Sequence, residues 1–313
     1  MAENKKVMVT GGLGFIGPHL VRRLLDEGNF VLVLDKSEDT TSIDIENPKL
    51  TIIKTDLLTG SIDSHFKGID EVYHLAANSD VRLGAKDTKI DFDENIVVTY
   101  KVLEACRKAE VKRFIFTSSS VVYGNAKKIP TPEDYGPLFP ISMYGGSKLA
   151  GEALVSTYAS LYNIKATILR FANVIGPGDK PHGVIFDFIT KLRKNPETLE
   201  ILGDGRQNKS YIYIDDCIDG IIHAKKAQDK QTDAFNFGSK DQLDVTSLAK
   251  IVVMCMGLKD VKFTYTGGSG GWKGDVTDMM LSTAKLEKTG WSSKYNSRQA
   301  VERTVKELLD RKI

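Results

Sequence analysis

Residues 7–35 constrain the fold more than any other stretch of the chain. Val7-Met8-Val9-Thr10 has the β-branched composition of a strand, Gly11-Gly12-Leu13-Gly14-Phe15-Ile16-Gly17 follows directly, and Leu20-Val21-Arg22-Arg23-Leu24-Leu25 carries a helical period. Glycines stand at 11, 14 and 17, and Gly12 also completes a G-x-G-x-x-G spacing. Such a loop has three physical tasks: a tight turn, close approach of backbone N–H groups to a pyrophosphate, and close packing of helix on strand. The phosphates then lie at the positive end of the helix. The next strand, Val31-Leu32-Val33-Leu34, ends at Asp35, about 20 residues on, where a carboxylate accepts hydrogen bonds from a ribose diol and repels a 2′-phosphate. A βαβ unit that binds a dinucleotide is therefore expected, with Asp35 favouring NAD over NADP. Lys36 tempers that preference a little and is equally explained as a solvated strand-end lysine.

Strand-like runs at 7–10, 31–35, 50–54, 71–75, 114–118 and 166–170 alternate with helical-period segments. That alternation predicts the α/β class: a Rossmann-type doubly wound parallel sheet with helices on both faces. After Arg170 the pattern loosens, with Gly176-Pro177-Gly178, Gly203-Asp204-Gly205 and a glycine-rich patch at 267–274. The expected division is a dinucleotide-binding domain over 1–172, to which part of 211–237 returns, and a smaller α/β substrate-binding domain over 173–313.

Composition narrows the function classes. The chain has 43 basic and 41 acidic residues, a net charge of +2 with no basic stripe, so a nucleic-acid partner is not expected. Cys106, Cys217 and Cys255 are far apart and form no metal-ligand spacing, which predicts a reducing, cytoplasmic setting and no metal. The start of the chain lacks an apolar leader, and the most apolar stretch, 251–258, is too short to span a bilayer. Two helical segments, 93–109 and 144–162, carry apolar stripes wider than one core requires. In the first, Ile96, Val97, Tyr100 and Leu103 form one stripe and Val98, Val102, Ala105 and Ala109 another; Leu149, Ala153, Leu154, Tyr158 and Leu161 mark the second segment. A homodimer built on these helices, or burial within a thick domain, accounts for both.

The chemistry-bearing residues follow. Phe114-Ile115-Phe116 runs into Thr117-Ser118-Ser119-Ser120, and a helix begins near Tyr144-Gly145-Gly146-Ser147-Lys148. Tyr144 and Lys148 are four apart and share a helix face. A phenol has a pKa of about 10, so serving as a base near neutrality takes ~4 kcal/mol of extra phenolate stabilisation. An adjacent ammonium and a positive nicotinamide ring are the expected sources.

These stretches together resemble the extended short-chain dehydrogenase/reductase family, and within it the nucleotide-sugar epimerase branch. The resemblance covers nearly the whole chain. It is carried by Thr10-Gly11-Gly12-Leu13-Gly14-Phe15-Ile16-Gly17, Asp56-Leu57, His74-Leu75-Ala76-Ala77, Thr117-Ser118-Ser119-Ser120-Val121-Val122-Tyr123-Gly124, Tyr144 with Lys148, Arg170-Phe171-Ala172-Asn173 and Tyr211-Ile212-Tyr213-Ile214-Asp215-Asp216. It implies a catalytic group of Ser119, Tyr144 and Lys148, with Lys148 also holding the nicotinamide ribose. Asp56 and Leu57 would contact the adenine, and Ala76 and Ala77 would line the cofactor. Phe15, Ile16, Lys36, Leu75, Asn95, Ser118 and Phe171 would complete that site. Ser79, Asn173, Val184, Lys209, Tyr211, Trp272 and Asp275 would meet the substrate beside Ser119 and Tyr144, Asn173 at its diphosphate. The plain structural alternatives are a strand cap for His74 and a helix N-cap for Asp56.

The same resemblance separates reaction types. Dehydrating members carry an Asp-Glu pair where Ser120 and Val121 stand, and decarboxylating members a glutamate at the place of Val121. What remains implies an NAD-dependent nucleotide-sugar 4-epimerase of the UDP-glucose/UDP-galactose type, in which Tyr144 takes the sugar 4-OH proton directly or through Ser119. Two arginines of the family pattern are missing: Gln207-Asn208-Lys209-Ser210-Tyr211 and Trp272-Lys273-Gly274-Asp275 stand in their places. Lys209 and Lys273 keep positive charge without bidentate geometry, so the diphosphate grip is expected to differ. Pro18 falls in the first helical turn, where it is tolerated. A one-way ketoreductase or dehydrogenase with exchangeable cofactor, and a silent dinucleotide sensor, are the competing expectations. Binding alone needs no Ser119, Tyr144 and Lys148 together.

Overall fold

The structure is a computed structural model that describes residues 4–43, 46–178 and 183–310. Its strands and helices alternate as expected through the first half. In chain order they are β1 (Lys6–Thr10), α1 (Gly17–Asp26), β2 (Phe30–Asp35), β3 (Leu50–Lys54), β4 (Glu71–His74), α2 (Val81–Lys86) and α3 (Thr88–Asp91). A π-helical turn, Phe92–Val97, leads into α4 (Val98–Lys108), β5 (Arg113–Ser119), α5 (Met143–Tyr162), β6 (Lys165–Phe171), β7 (Asn173–Ile175), α6 (Val184–Lys194), β8 (Thr198–Ile201) and β9 (Asn208–Lys209). The rest comprises β10 (Tyr211–Tyr213), α7 (Ile214–Ala227), β11 (Thr232–Phe237), β12 (Leu243–Asp244), α8 (Val245–Cys255), β13 (Lys262–Tyr265), β14 (Asp278–Met279), α9 (Ala284–Glu287) and α10 (Ser297–Asp310).

Seven strands form one sheet in the order β11-β6-β5-β4-β1-β2-β3. The order reverses between β1 and β4, and both neighbours of β1 are parallel to it, Thr10 pairing with Leu34 on β2 and with His74 on β4. Parallel central strands are covered on both faces, which is why β1 and β4 are buried almost throughout, β4 burying Glu71 and His74 as well as Val72 and Tyr73. This is the doubly wound Rossmann arrangement, and ligands bind it at the carboxyl ends of the strands beside the reversal point. In this chain that point is flanked by Gly11 and by Leu75-Ala76-Ala77.

The chain divides into two compact units: Met1–Val122, Ser142–Arg170 and Ile221–Phe235 form the first, and Tyr123–Ile141, Phe171–Gly220 and Asn236–Ile313 the second. Residues 123–141 thus leave the first unit, because Tyr123 donates its hydroxyl to Asn236 and Thr131 bridges to Leu281. In the first unit Leu103, Cys106, Phe114, Phe116 and Val155 fill the space between the sheet and α4 and α5. In the second, short sheets β7-β10, β12-β9-β14 and β8-β13 accompany a core of Phe188, Leu192, Leu199, Leu248, Val252 and Val305 contributed largely by α6, α8 and α10.

Candidate active site

The glycine loop shows a separate reason for each glycine. Gly11 has φ +70°, and a Cβ on it would lie 2.6 Å from the Ala76 backbone nitrogen, so both its conformation and its contact with the end of β4 demand glycine. A Cβ on Gly17 would sit 2.3 Å from the Gly12 carbonyl oxygen, which fixes how closely α1 packs on the loop. A Cβ on Gly14 would meet only the Gly11 carbonyl oxygen, at 3.3 Å, a tight contact but looser than those at Gly11 and Gly17. Helix α1 carries no side-chain cap, and Pro18 lies in its first turn as expected. A glycine loop without side chains over an uncapped helix N-terminus fits a pyrophosphate. Asp35 holds the loop: one carboxylate oxygen accepts from the Leu13 N–H at 2.9 Å and the other from Ser37 N–H at 2.9 Å. Lys36 pairs with Glu94 at 2.9 Å. Asp56 is exposed and accepts from the Leu58 N–H at 2.8 Å, while Leu57 is buried.

The catalytic candidates converge within the first unit. Ser142 caps α5 by accepting from the Gly145 N–H, which starts the helix at Met143 and sets Tyr144 and Lys148 one turn apart. The Ser119 side chain, at the end of β5, lies beside the Tyr144 phenol and favours its phenolate. Lys148 is buried with Nζ donating to the Thr117 carbonyl at 2.9 Å, 5.8 Å from the centre of the Tyr144 ring. Burial, then the charge of Asp91, push the Tyr144 phenol up to about 12, with the neighbouring Ser119 pulling the other way. This is opposite to the expected lowering, because desolvation of the phenolate outweighs the help it receives from the protein. Burial lowers Lys148 to about 8 against the pull of Asp91 and Glu152.

Around this group Asp91 and Glu152 carried no expectation, while His74, Ser118 and Asn95 have partners within the protein. His74 lies between Thr10 and Thr99: Thr99 donates its own proton to the Asn95 carbonyl at 2.6 Å, so His74 Nε2–H donates to Thr99 Oγ1 at 3.1 Å and Nδ1 accepts from Thr10 Oγ1 at 2.7 Å. Burial and the Lys148 charge hold His74 down to about 3, so the ring is neutral. Glu152 receives Arg170 bidentately at 2.9 and 2.7 Å and the Ser118 hydroxyl at 2.5 Å, which turns the expected cofactor contact Ser118 inward. Asn95 is buried; its Nδ2 donates to Ser147 Oγ at 2.8 Å, and Ser147 Oγ donates to the Tyr144 carbonyl at 2.8 Å. The i, i+4 spacings Asp91–Asn95 and Lys148–Glu152 were the available signals. Ser79 is exposed on the loop after β4, and Leu75, Ala76 and Ala77 are half-buried there.

The remaining substrate candidates belong to the second unit. Asn173 donates from Nδ2 to the Ser210 carbonyl at 3.2 Å. Lys209 Nζ lies 2.5 Å from the buried Asp275 carboxylate and 4.9 Å from the centre of the Trp272 ring, whose residue is 39% exposed. Asp275 also accepts from the Gly271 N–H at 3.0 Å. Lysine at 209 is therefore already neutralised by Asp275 and covered by an indole, while Lys273 is exposed. Tyr211 is 2% exposed in the core, Phe171 packs edge-on against Phe237 with 5.3 Å between ring centres, and Val184 opens α6.

Residues 7–238 match the NAD dependent epimerase/dehydratase family. A putative UDP-glucose 4-epimerase of Methanocaldococcus jannaschii is 32% identical over 96% of this chain and 97% of its own. A solved UDP-galactose 4-epimerase is 40% identical with a TM-score of 0.88, covering 98% of this chain and 100% of that one. A Bacillus cereus UDP-glucuronic acid 4-epimerase, solved with UDP-glucuronic acid and NAD, is 30% identical with a TM-score of 0.88 over 97% of this chain and 99% of its own. The glycine loop, the reversal point of the sheet and these relatives agree: the chain belongs to the NAD dependent epimerase/dehydratase family, and NAD is its cofactor.

Proposed function

We propose that this chain is a UDP-hexose 4-epimerase of the UDP-glucose/UDP-galactose type. The observation that carries the reading is the placement of Ser119 beside the Tyr144 phenol, with the buried ammonium of Lys148 next to both. The relatives named above for UDP-glucose and UDP-galactose support the substrate class. Bound NAD supplies a reversible hydride acceptor for C4 of the sugar and a positive ring that favours the phenolate. Tyr144 takes the O4 proton, directly or across the Ser119 hydroxyl, and C4 becomes a ketone. The same phenol returns the proton once the configuration has been inverted. Lys148, held by the Thr117 carbonyl, keeps a positive charge beside the phenol through both transfers. With Lys209 committed to Asp275, the diphosphate is held differently from a pair of free arginines.

The purified protein is expected to retain NAD and interconvert UDP-glucose and UDP-galactose with no cofactor added. Tyr144→Phe should keep its NAD and lose turnover by roughly 100-fold or more. Net NADH accumulation on a nucleotide sugar would transfer the reading to a dehydrogenase, and an active Tyr144→Phe would remove the role given to the phenol.

A homodimer through α4 and α5 is part of the same reading. Tyr100 is 49%, Leu161 65% and Tyr162 44% exposed on these helices, with Ile96, Val97 and Leu154 half-buried nearby in sequence. The three cysteines are free, two of them buried, which supports a reducing, cytoplasmic setting.

A further inference from the structure

We propose that Asp91 is a positioning residue for Ser119, Tyr144 and Lys148, fixing the orientation of the Asn95 carboxamide and serving as the buried countercharge of Lys148. The inference rests on the proton-transfer reading above. Asp91 closes α3 and is fully buried. One of its carboxylate oxygens accepts from Asn78 Nδ2 at 2.7 Å and from Asn95 Nδ2 at 3.3 Å. Asn95 Oδ1 meanwhile accepts from the Asn78 N–H at 2.8 Å. A flipped carboxamide would set oxygen against carboxylate and nitrogen against a backbone donor, so Asp91 dictates which end of Asn95 faces Ser147. Through Ser147 that choice reaches the Tyr144 carbonyl in the first turn of α5. The π-helical turn between Asp91 and α4 is what turns Asn95 inward; such turns recur at functional sites.

The second Asp91 oxygen has no hydrogen-bond partner and occupies the place of the missing Gly84 side chain, where a Cβ would lie 1.8 Å away. A bare buried carboxylate oxygen needs a compensating field. Lys148 supplies it. The other carboxylate facing Lys148 is Glu152 on its own helix, already bound by Arg170 and Ser118. Among the described residues Asp91 forms no ion pair, so it is the negative group left to balance Lys148.

The charged and titratable groups around this set are few. Tyr144 faces Asp91 and Ser119, and Lys148 faces Asp91, Glu152 and the neutral His74. Asp80, from the loop before α2, faces Asp91, whose own carboxyl is raised by burial against the hydrogen bonds of Asn78 and Asn95 and the charge of Lys148. Removing the Asp91 charge therefore favours the deprotonated forms of both Tyr144 and Lys148.

Asp91→Asn keeps the shape and removes the charge. In NAD-loaded protein, the tyrosinate ultraviolet absorbance that disappears with Tyr144→Phe should titrate about one pH unit lower in the Asp91→Asn background. Both limbs of the kcat/KM profile should move the same way. An unchanged Tyr144 titration overturns the proposal, whatever happens to the rate, because a merely structural residue would lower activity without moving it. Gly84→Ala tests the same point if Asp91→Asn does not fold: its methyl group displaces the carboxylate while every polar group stays, and an unmoved titration again overturns the role. Failure of the protein to turn over any UDP-hexose would count against the epimerase reading alone, since the phenol titration still decides the place of Asp91.

Discussion

Tyr144 and Lys148 sit one helical turn apart, and the same burial drives them in opposite directions, the phenol to about 12 and the ammonium to about 8. Desolvation penalises whichever form is charged, so it holds the proton on tyrosine and takes it from lysine. Lysine in the folded protein therefore loses its charge near pH 8, well below its ordinary value. The rate of the wild-type protein should fall as pH rises through about 8, and Lys148→Arg, which stays charged, should lose that alkaline fall while turning over more slowly. A pH–rate profile of both proteins checks this, and a shared alkaline limb would assign it to another group. Tyr144 and Lys148 were legible in the sequence as a four-residue pair, and Ser119 through the family resemblance of the stretch that ends β5. Their ionisation was not, since it depends on where the fold sets Asp91 and Glu152 and on the depth of burial.

At the level of elements, the β1–loop–α1 unit is the part whose local sequence and final geometry agree most closely. Gly11 is required twice, by φ +70° and by the Ala76 backbone, whereas a Cβ on Gly14 would meet only the Gly11 oxygen, at 3.3 Å. Gly11→Ala should thus destabilise the whole protein by about 1–3 kcal/mol, read by thermal or denaturant unfolding. Gly14→Ala should cost less stability than Gly11→Ala and weaken NAD retention, read from the cofactor absorbance of the purified protein. Equal effects of the two substitutions on folding would contradict the separate roles. Helix 93–109 shows the opposite case. Its apolar period is real, yet the six residues from Phe92 form a π-helical turn that sets Asn95 against Asn78 and Ser147. Asn78 and Ser147 lie elsewhere in the chain and leave no trace in a local pattern.

For the whole molecule, the two wide apolar stripes resolve into an inward and an outward part. Val98, Val102, Ala105 and Cys106 on α4, and Val155, Tyr158 and Ala159 on α5, are buried in the first unit, while Tyr100, Leu161 and Tyr162 are exposed. A helix pair that hides one stripe and shows another suits a second copy of the chain. Replacing Tyr100 and Leu161 together by glutamate should halve the mass measured by light scattering without loss of folded structure. A mass unchanged by the double substitution, or a wild-type chain that is already monomeric, would remove the dimer from the reading.

Strand, glycine loop, helix and acidic strand end follow one another within 29 residues, 7–35, and their period and turn chemistry are local, so the sequence alone determined the α/β class and the use of NAD, while Ser119, Tyr144 and Lys148 were proposed from the family resemblance. What the tertiary structure decided are interactions between residues far apart in the chain. Glu71 is buried against Lys5 and Lys225, 154 residues from the latter, and Lys225 and Lys5 hold its carboxyl below the usual range although burial alone would raise it. Lys209 is spent on Asp275, 66 residues on, and covered by Trp272, an arrangement that substitution for arginine could not announce. The reason is physical: backbone propensity acts between near neighbours, whereas the charge state and orientation of a buried polar group are set by whichever groups the fold brings against it, at any separation in sequence.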